Sequence, residues 1–337
     1  MTDAVLTVPP PSKVSVTLND LRKPVEKDLR EFETYFKNAM SSNGGLLDLI
    51  VRYLLRRKGK QLRPILVLLS AKMCGETSKS SYLAAALVEL LHTATLVHDD
   101  VVDTADQRRG AFSINALWKN KIAVLFGDFL LSRGLLLALD NKEYDLLHTM
   151  SDAVRRMSEG EILQIEKSRK LDIDEETYYK IISDKTASLI AACTTAGARS
   201  VTTDDEVIDR MNKAGESLGL AFQIRDDLFD YGIRDVGKPL GIDLKERKLT
   251  LPLIFSLSGA ESSEQRRILK LIRKKRISDR DIRYIADFVT KTGGIEYAKN
   301  AMIDHAQTAS RLVGTFPQSE ARDTMMGLID YTVQRKL

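Results

Sequence analysis

Apolar residues that recur every three or four positions along almost the whole chain constrain its fold more than any other feature. In 14–40, Leu18, Leu21, Val25, Leu29, Phe32 and Phe36 fall on one stripe. A helix turns about 100° per residue and so brings such positions to one side. The same spacing recurs in 46–55, 64–73, 81–103, 114–139, 145–168, 175–198, 205–231, 251–257, 263–274, 279–292 and 295–312. Strand-type alternation is nearly absent, and eight prolines and nineteen glycines punctuate the chain sparsely. The expected fold is all-α, a single-domain bundle of ten or more helices around a central cavity. No short repeat supports a solenoid. Residues 1–16, polar and proline-rich, read as a flexible tail, and 17–337 as the domain.

Within this pattern the form DDxxD occurs twice, as DDVVD (Asp99, Asp100, Asp103) and DDLFD (Asp226, Asp227, Asp230). Residues i and i+4 share a helix face, so Asp99 faces with Asp103 and Asp226 with Asp230. Like charges at that spacing cost a helix roughly 0.2–0.5 kcal/mol. One such box could be a solvated face. Two boxes of identical spacing, flanked by HTATLVH and GLAFQIR, lie in helices that read as buried, where a bare carboxylate needs a counter-ion or a metal. Oxygen ligands favour a hard cation. Mg²⁺ takes one or two carboxylates and fills its other positions with water and phosphate oxygens. Two carboxylate walls would therefore clamp Mg²⁺ around a diphosphate and pull on a leaving group.

Cations accompany the acids. GKQLRP sets Lys60 and Arg63 beside Pro64, a favoured first residue of a helix, and so forms an anion cradle. His92 lies two turns before Asp99 on the same face. Arg108 and Arg109 precede Gly110, whose freedom could turn these guanidinium groups back toward the site. Further on come Lys185 and Thr186 in DKTAS, Gln223 three residues before Asp226, and Lys238 and Lys248 on either side of Asp243.

These ordered motifs resemble the trans-isoprenyl diphosphate synthases, or polyprenyl synthetases, from about Leu18 to the C-terminus. The resemblance implies that both boxes bind Mg²⁺, on the order of two or three ions, with an allylic diphosphate. It implies an isopentenyl diphosphate site at Lys60, Arg63 and His92, with Arg108 facing the allylic diphosphate and Arg109 the isopentenyl diphosphate. Lys185, Thr186, Gln223, Lys238 and Lys248 would hold diphosphate and stabilise the developing carbocation. His98 is left structural. The same resemblance places a chain-length control four and five residues before Asp99, at Thr95 and Ala94. With no bulky plug there, the expected product is long, a quinone side chain of about seven or eight units or more. Leu87, Leu91 or residues within 126–137 would form the tunnel floor. A homodimer is implied as well.

Composition bounds the partners. The 337 residues carry 43% hydrophobic content and a net charge of only +4, far from a dedicated nucleic-acid binder, so no nucleic acid is expected. Cys74 and Cys193 have neither disulfide nor zinc spacing, which fits a reduced cytoplasmic compartment. Asp3 and three consecutive prolines stand where an export signal would need a basic start and an apolar core. The apolar run 123–139, broken by Asp128 and Arg133, falls short of about 20 spanning residues. The basic run 266–276 fits either a solvated helix end or contact with anionic lipid.

Four rival functions remain: a short-chain farnesyl or geranylgeranyl diphosphate synthase, an HD-type metal phosphohydrolase around His92 and His98-Asp99, a terpene cyclase, and a catalytically silent partner subunit. The phosphohydrolase leaves DDLFD and GKQLRP unexplained. A cyclase usually mixes Asn, Ser or Thr into its second metal motif, and a silent subunit tends to lose a motif that is intact here.

Overall fold

A computed structural model describes residues 18–41, 44–56, 59–108, 111–231 and 241–334. The tail assigned to 1–16 lies outside the described residues, as do Arg109, Lys238 and the side chain of Arg108. The rest is a helical bundle: α1 (Leu18–Arg22), α2 (Glu26–Ala39), α3 (Gly45–Leu55), α4 (Leu62–Cys74), α5 (Lys79–Val102), α6 (Ile114–Asp140), α7 (Tyr144–Lys170), α8 (Glu175–Ile182), α9 (Ser188–Arg199), α10 (Asp205–Phe229), α11 (Ile242–Lys245), α12 (Leu251–Ser258), α13 (Ser262–Ile272), α14 (Asp279–Lys291), α15 (Gly294–Gly314) and α16 (Glu320–Gln334). A two-residue antiparallel pair, β1 (Gln107–Arg108) and β2 (Ala111–Phe112), turns the chain after the first aspartate box.

Local chemistry sets the helix starts. Ser113, Asp174, Asp204 and Ser278 each accept a backbone N–H of the following first turn, which satisfies donors that would otherwise be orphaned. Three departures from the sequence pattern have clear causes. The stripe of 14–40 is interrupted by a 3₁₀ turn, Lys23–Val25, because Pro24 lacks an amide hydrogen. The pattern of 175–198 divides into α8, a π-turn at Ser183–Ala187, and α9. Helix α16 extends the bundle beyond the last periodic segment and buries Met325, Leu328, Ile329 and Thr332.

Helix α5 is the spine. Its run from Leu83 to Val88 has almost no accessible surface, and each buried Leu there contributes about 1.5–3 kcal/mol. The main core joins α4, α5, α9, α10 and α15. A second, smaller core fills the space between α3, α5 and α6 with Ile50, Val51, Leu90, Ala94, Val97, Phe126 and Leu130. The apolar run read as too short to span a bilayer belongs to the longer α6, and both α5 and α6 have the length and composition of a span. The bundle buries 67% of the apolar window of α5 but only 33% of that of α6.

Candidate active site

Helix α9 brings the two aspartate boxes to one end of the bundle. Its C-terminal end meets the start of α5, where the Ser200 and Ser81 hydroxyls lie 2.7 Å apart and Ser78 Oγ donates to Ser200 O at 3.3 Å. Its N-terminal end meets the last turns of α10, where Thr186 Oγ1 donates to Gln223 Oε1 at 2.9 Å. Helices α5 and α10 therefore both run antiparallel to α9. Their C-terminal ends, carrying Asp99–Asp103 and Asp226–Asp230, emerge on the same side. A helix C-terminus already bears about half a negative charge, so both boxes add acids where the backbone disfavours them.

In the first box the face argument holds. Asp99 and Asp103 are exposed, and Asp100 is buried at 3%. Asn115 Nδ2 donates to the carbonyls of Asp100 and Ala105, both at 3.2 Å, and so fixes the turn that closes the box. Asp103 caps α5, and Val102 beside it is 71% exposed, which places the box at an open mouth.

The second box is more deeply set. Asp226 is half-buried and Asp227 buried. Each oxygen of Asp227 accepts a side-chain bond, one from Tyr178 Oη at 2.6 Å and one from Gln223 Nε2 at 2.8 Å. Burial pushes the Asp227 carboxyl up to about 7, and the nearby charges of Asp243 and Asp226 push it the same way against those two donors. Burial together with Asp230 raises Asp243 to about 6, with Lys248 opposing. Asp230 accepts the Ile242 N–H at 2.7 Å through Oδ1 at the start of the short α11, and among the described residues its buried Oδ2 has no partner at hydrogen-bond geometry. Carboxylates raised first by burial and then by one another are what a hard cation would relieve. Among the described residues no three His, Cys, Asp or Glu side chains converge on one point. A cation here would thus take a few carboxylates and complete its shell with phosphate and water.

The cationic residues reach this end along several elements. Gln61 adopts a left-handed conformation (φ 54°) before α4, so the helix begins at Leu62 and Pro64 falls third in it, not first as the sequence indicated. Arg22 donates to Gln61 Oε1 at 3.0 Å and Gln61 donates to Glu33 at 3.1 Å, which pins the turn that presents exposed Lys60 and half-buried Arg63. His92 is buried at 7% on α5. Lys185 pairs with Glu161 and donates to Gln164 Oε1 at 3.3 Å, both on α7. Lys248 pairs with Glu246 and lies 4.0 Å from Asp243. Burial is the largest influence and works against its charge, yet the Glu246 bond and the charges of Glu246, Asp243 and Glu161 together outweigh it and raise its pKa.

Ala94 has no exposed surface and packs in the second core against the helix that carries Phe126 and Leu130. Half-buried Thr95 back-bonds to His92 O at 2.9 Å. Leu87 and Leu91 meet α6 at Gly134, where an added Cβ would lie 3.4 and 3.1 Å from their methyl groups. His98 sits over Gly127, which has no room for a Cβ, and its Nε2 lies 3.2 Å from Val124 O. The sequence reading gave no role to Tyr178 or Gln61, and it named Asp243 only as the acid between two lysines. Their types are ordinary, and only their placement marks them.

Comparison with known proteins shows the family and the fold. The polyprenyl synthetase family model matches residues 45–289. The chain is 33% identical over 319 residues to the all-trans-nonaprenyl-diphosphate synthase (geranyl-diphosphate specific) of Rhodobacter capsulatus, covering 94% of this chain and 97% of that one. Its fold is similar to a decaprenyl diphosphate synthase crystal structure from Rhodobacter capsulatus (TM-score 0.88, 34% identity, 95% of this chain and 100% of that one). It is also similar to a polyprenyl synthase from Caulobacter crescentus complexed with calcium and isoprenyl diphosphate (TM-score 0.83, 31% identity, 97% and 100% covered). With the model covering most of the chain and both carboxylate boxes at one end of the bundle, the chain belongs to the polyprenyl synthetase family.

Proposed function

We propose that this chain is a Mg²⁺-dependent prenyltransferase that condenses isopentenyl diphosphate head-to-tail onto an allylic diphosphate and builds a long all-trans polyprenyl diphosphate, for a respiratory quinone side chain. The observation that carries the reading is the meeting of two carboxylate boxes and the Lys185–Thr186 turn at one end of α9. Asp99, Asp100 and Asp103 on one wall and Asp226, Asp227 and Asp230 on the other are the candidate metal residues. When bound, Mg²⁺ supplies Lewis-acid pull on the diphosphate leaving group.

The remaining work belongs to the chain. Lys185, Lys248, Arg108 and Lys238 neutralise the allylic diphosphate, and Thr186 and Gln223 help to hold it and line the path of the developing carbocation. Lys60, Arg63, His92 and Arg109 hold isopentenyl diphosphate so that its double bond faces the allylic carbon. The allylic C–O bond breaks with its electron pair leaving on diphosphate. The double bond then attacks the cation, and the proton lost from the adduct passes to the departed diphosphate. No protein nucleophile is needed. Small side chains at Ala94 and Thr95 leave the way open for a long product.

Three further readings belong to the same proposal. The stripe of Leu117, Val124, Leu125, Leu135, Leu136 and Leu139 on α6 is 41–56% exposed, a face suited to a second copy of the chain in a homodimer. The compartment we infer is the cytoplasm, from two cysteines with neither disulfide nor zinc spacing in the sequence. The exposed cations of α13 and the turn after it, Arg266, Lys270, Arg273, Lys275 and Arg276 among them, would suit an anionic membrane that receives a greasy product. The deciding experiment supplies purified protein with Mg²⁺, isopentenyl diphosphate and each allylic primer in turn and sizes the chains formed. Products that stop at farnesyl or geranylgeranyl length would overturn the long-chain reading, and phosphate release without chain growth would overturn prenyl transfer.

A further inference from the structure

The turn that carries Lys185 and Thr186 is a π-turn, Ser183–Ala187, placed between two ordinary helices. A π-turn holds one residue more than an α-turn, is rare, and relaxes to α geometry unless its surroundings hold it. Relaxation by one residue would rotate the flanking helix by about 100°. Lys185 and Thr186 would then leave the side that faces the second aspartate box.

Two glycines make room for the wider turn. A Cβ on Gly160 of α7 would stand 2.8 Å from Lys185 N, and one on Gly219 of α10 would stand 2.5 Å from Ala187 Cα. A charged clamp closes over it. Arg156 of α7 donates through Nε to Asp184 Oδ1 at 2.8 Å and through Nη2 to Ser183 Oγ at 2.9 Å and Glu216 Oε1 at 3.2 Å. Ser183 Oγ donates to the same Glu216 oxygen at 2.7 Å, and Lys180 donates to Asp184 Oδ2 at 3.0 Å. Two cations and two carboxylates balance, so the cluster has no spare charge for a ligand. Its contacts go to the turn itself. Asp184 and Ser183 belong to the turn, while Arg156 and Glu216 come from the helices on either side.

We propose that Arg156 is a positioning residue for prenyl transfer: with Glu216 it clamps Ser183 and Asp184, holds the π-turn, and thereby aims Lys185 and Thr186 at the allylic diphosphate. This rests on the reading of Lys185 and Thr186 as diphosphate ligands. Arg156 touches no substrate and acts only through the turn.

The test uses the full chain with Mg²⁺, isopentenyl diphosphate and an allylic primer, and compares wild type, Arg156→Gln, Arg156→Lys, Lys185→Ala and the double variant Arg156→Gln/Lys185→Ala. Misplacement of a ligand by about 1 Å can cost about 100-fold, so Arg156→Gln is expected to lower kcat/KM for the allylic diphosphate by roughly 10- to 100-fold. KM for isopentenyl diphosphate should stay unchanged, Arg156→Lys should recover part of the loss, and Arg156→Gln should cost less in the Lys185→Ala background than in wild type, since only Thr186 is then left to misplace. Glu216→Gln, which keeps the shape of the clamp, provides a second route if Arg156→Gln does not fold. Wild-type turnover by Arg156→Gln, equal loss toward both substrates, or losses that multiply in the double variant would each overturn the clamp. Normal turnover by Lys185→Ala would instead remove the underlying reading of the turn as a diphosphate site.

Discussion

Replacing Tyr178 by Phe removes one oxygen atom from a buried site and leaves the ring in place. That oxygen donates to Asp227 Oδ2 at 2.6 Å, and Tyr178 itself is only 3% exposed, so no bulk water replaces the bond. A hydrogen bond to a charged group contributes about 1.5–3 kcal/mol, and one between neutral groups about 0.5–1.5 kcal/mol. The larger figure applies while Asp227 is ionised and the smaller while it is protonated. Because burial holds the Asp227 carboxyl at about 7, the expected cost of Tyr178→Phe rises with pH, from about 1 kcal/mol near pH 5 to about 2–3 kcal/mol near pH 8. Loss of the donor also raises that carboxyl further. Urea unfolding of metal-free protein at the two pH values measures the difference. A destabilisation below about 0.5 kcal/mol at both, or one equal at both, would refute the role assigned to this bond.

The same site yields other expected outcomes. Asp99→Ala or Asp226→Ala should cut prenyl transfer by orders of magnitude while circular dichroism stays helical; near-normal turnover would remove the metal-site assignment. Ala94→Phe should shorten the product, seen by thin-layer sizing of radiolabelled chains, and should cost about 1–3 kcal/mol of stability, since Ala94 has no free surface around it. In metal-free protein, Asp227 and Asp243 have folded pKa values above those of an unfolded chain, so the fold holds extra protons between about pH 4 and 7 and loses stability as pH rises through that window. Asp227→Asn should flatten this dependence, measured by urea midpoints; an unchanged slope would count against it. Leu125→Lys with Leu136→Lys on α6 should yield a monomer by light scattering if that stripe joins two copies, and an unaltered mass would sink the dimer face.

Much of the molecule was legible in its residues. The three-to-four spacing predicted the helices because a stripe of apolar side chains must find a partner surface. The DDxxD pairs pointed to a cation because two boxes of identical spacing gather hard oxygen ligands that suit Mg²⁺. What escaped is what depends on neighbours distant in sequence. Tyr178 looks like one more core aromatic until it meets Asp227, 49 residues on. Asp184, in a pattern that reads as continuous helix, becomes part of a π-turn through Arg156 and Glu216, 28 and 32 positions away. Ala94 packs wholly inside the second core, a placement that no local pattern states.

Sequence alone determined the class of fold and the kind of chemistry, since periodicity, charge spacing and ligand type are local properties of a chain. Only tertiary structure decided which acids face outward and which are locked inside. In the first box Asp99 and Asp103 are open and Asp100 is buried; in the second, Asp227 is held by two donors and Asp230 spends one oxygen on the Ile242 N–H. Identical motifs acquired different environments because a carboxylate's state depends on which donors and charges packing brings within hydrogen-bond reach, and that is fixed by the way α7, α8, α9 and α10 close on one another.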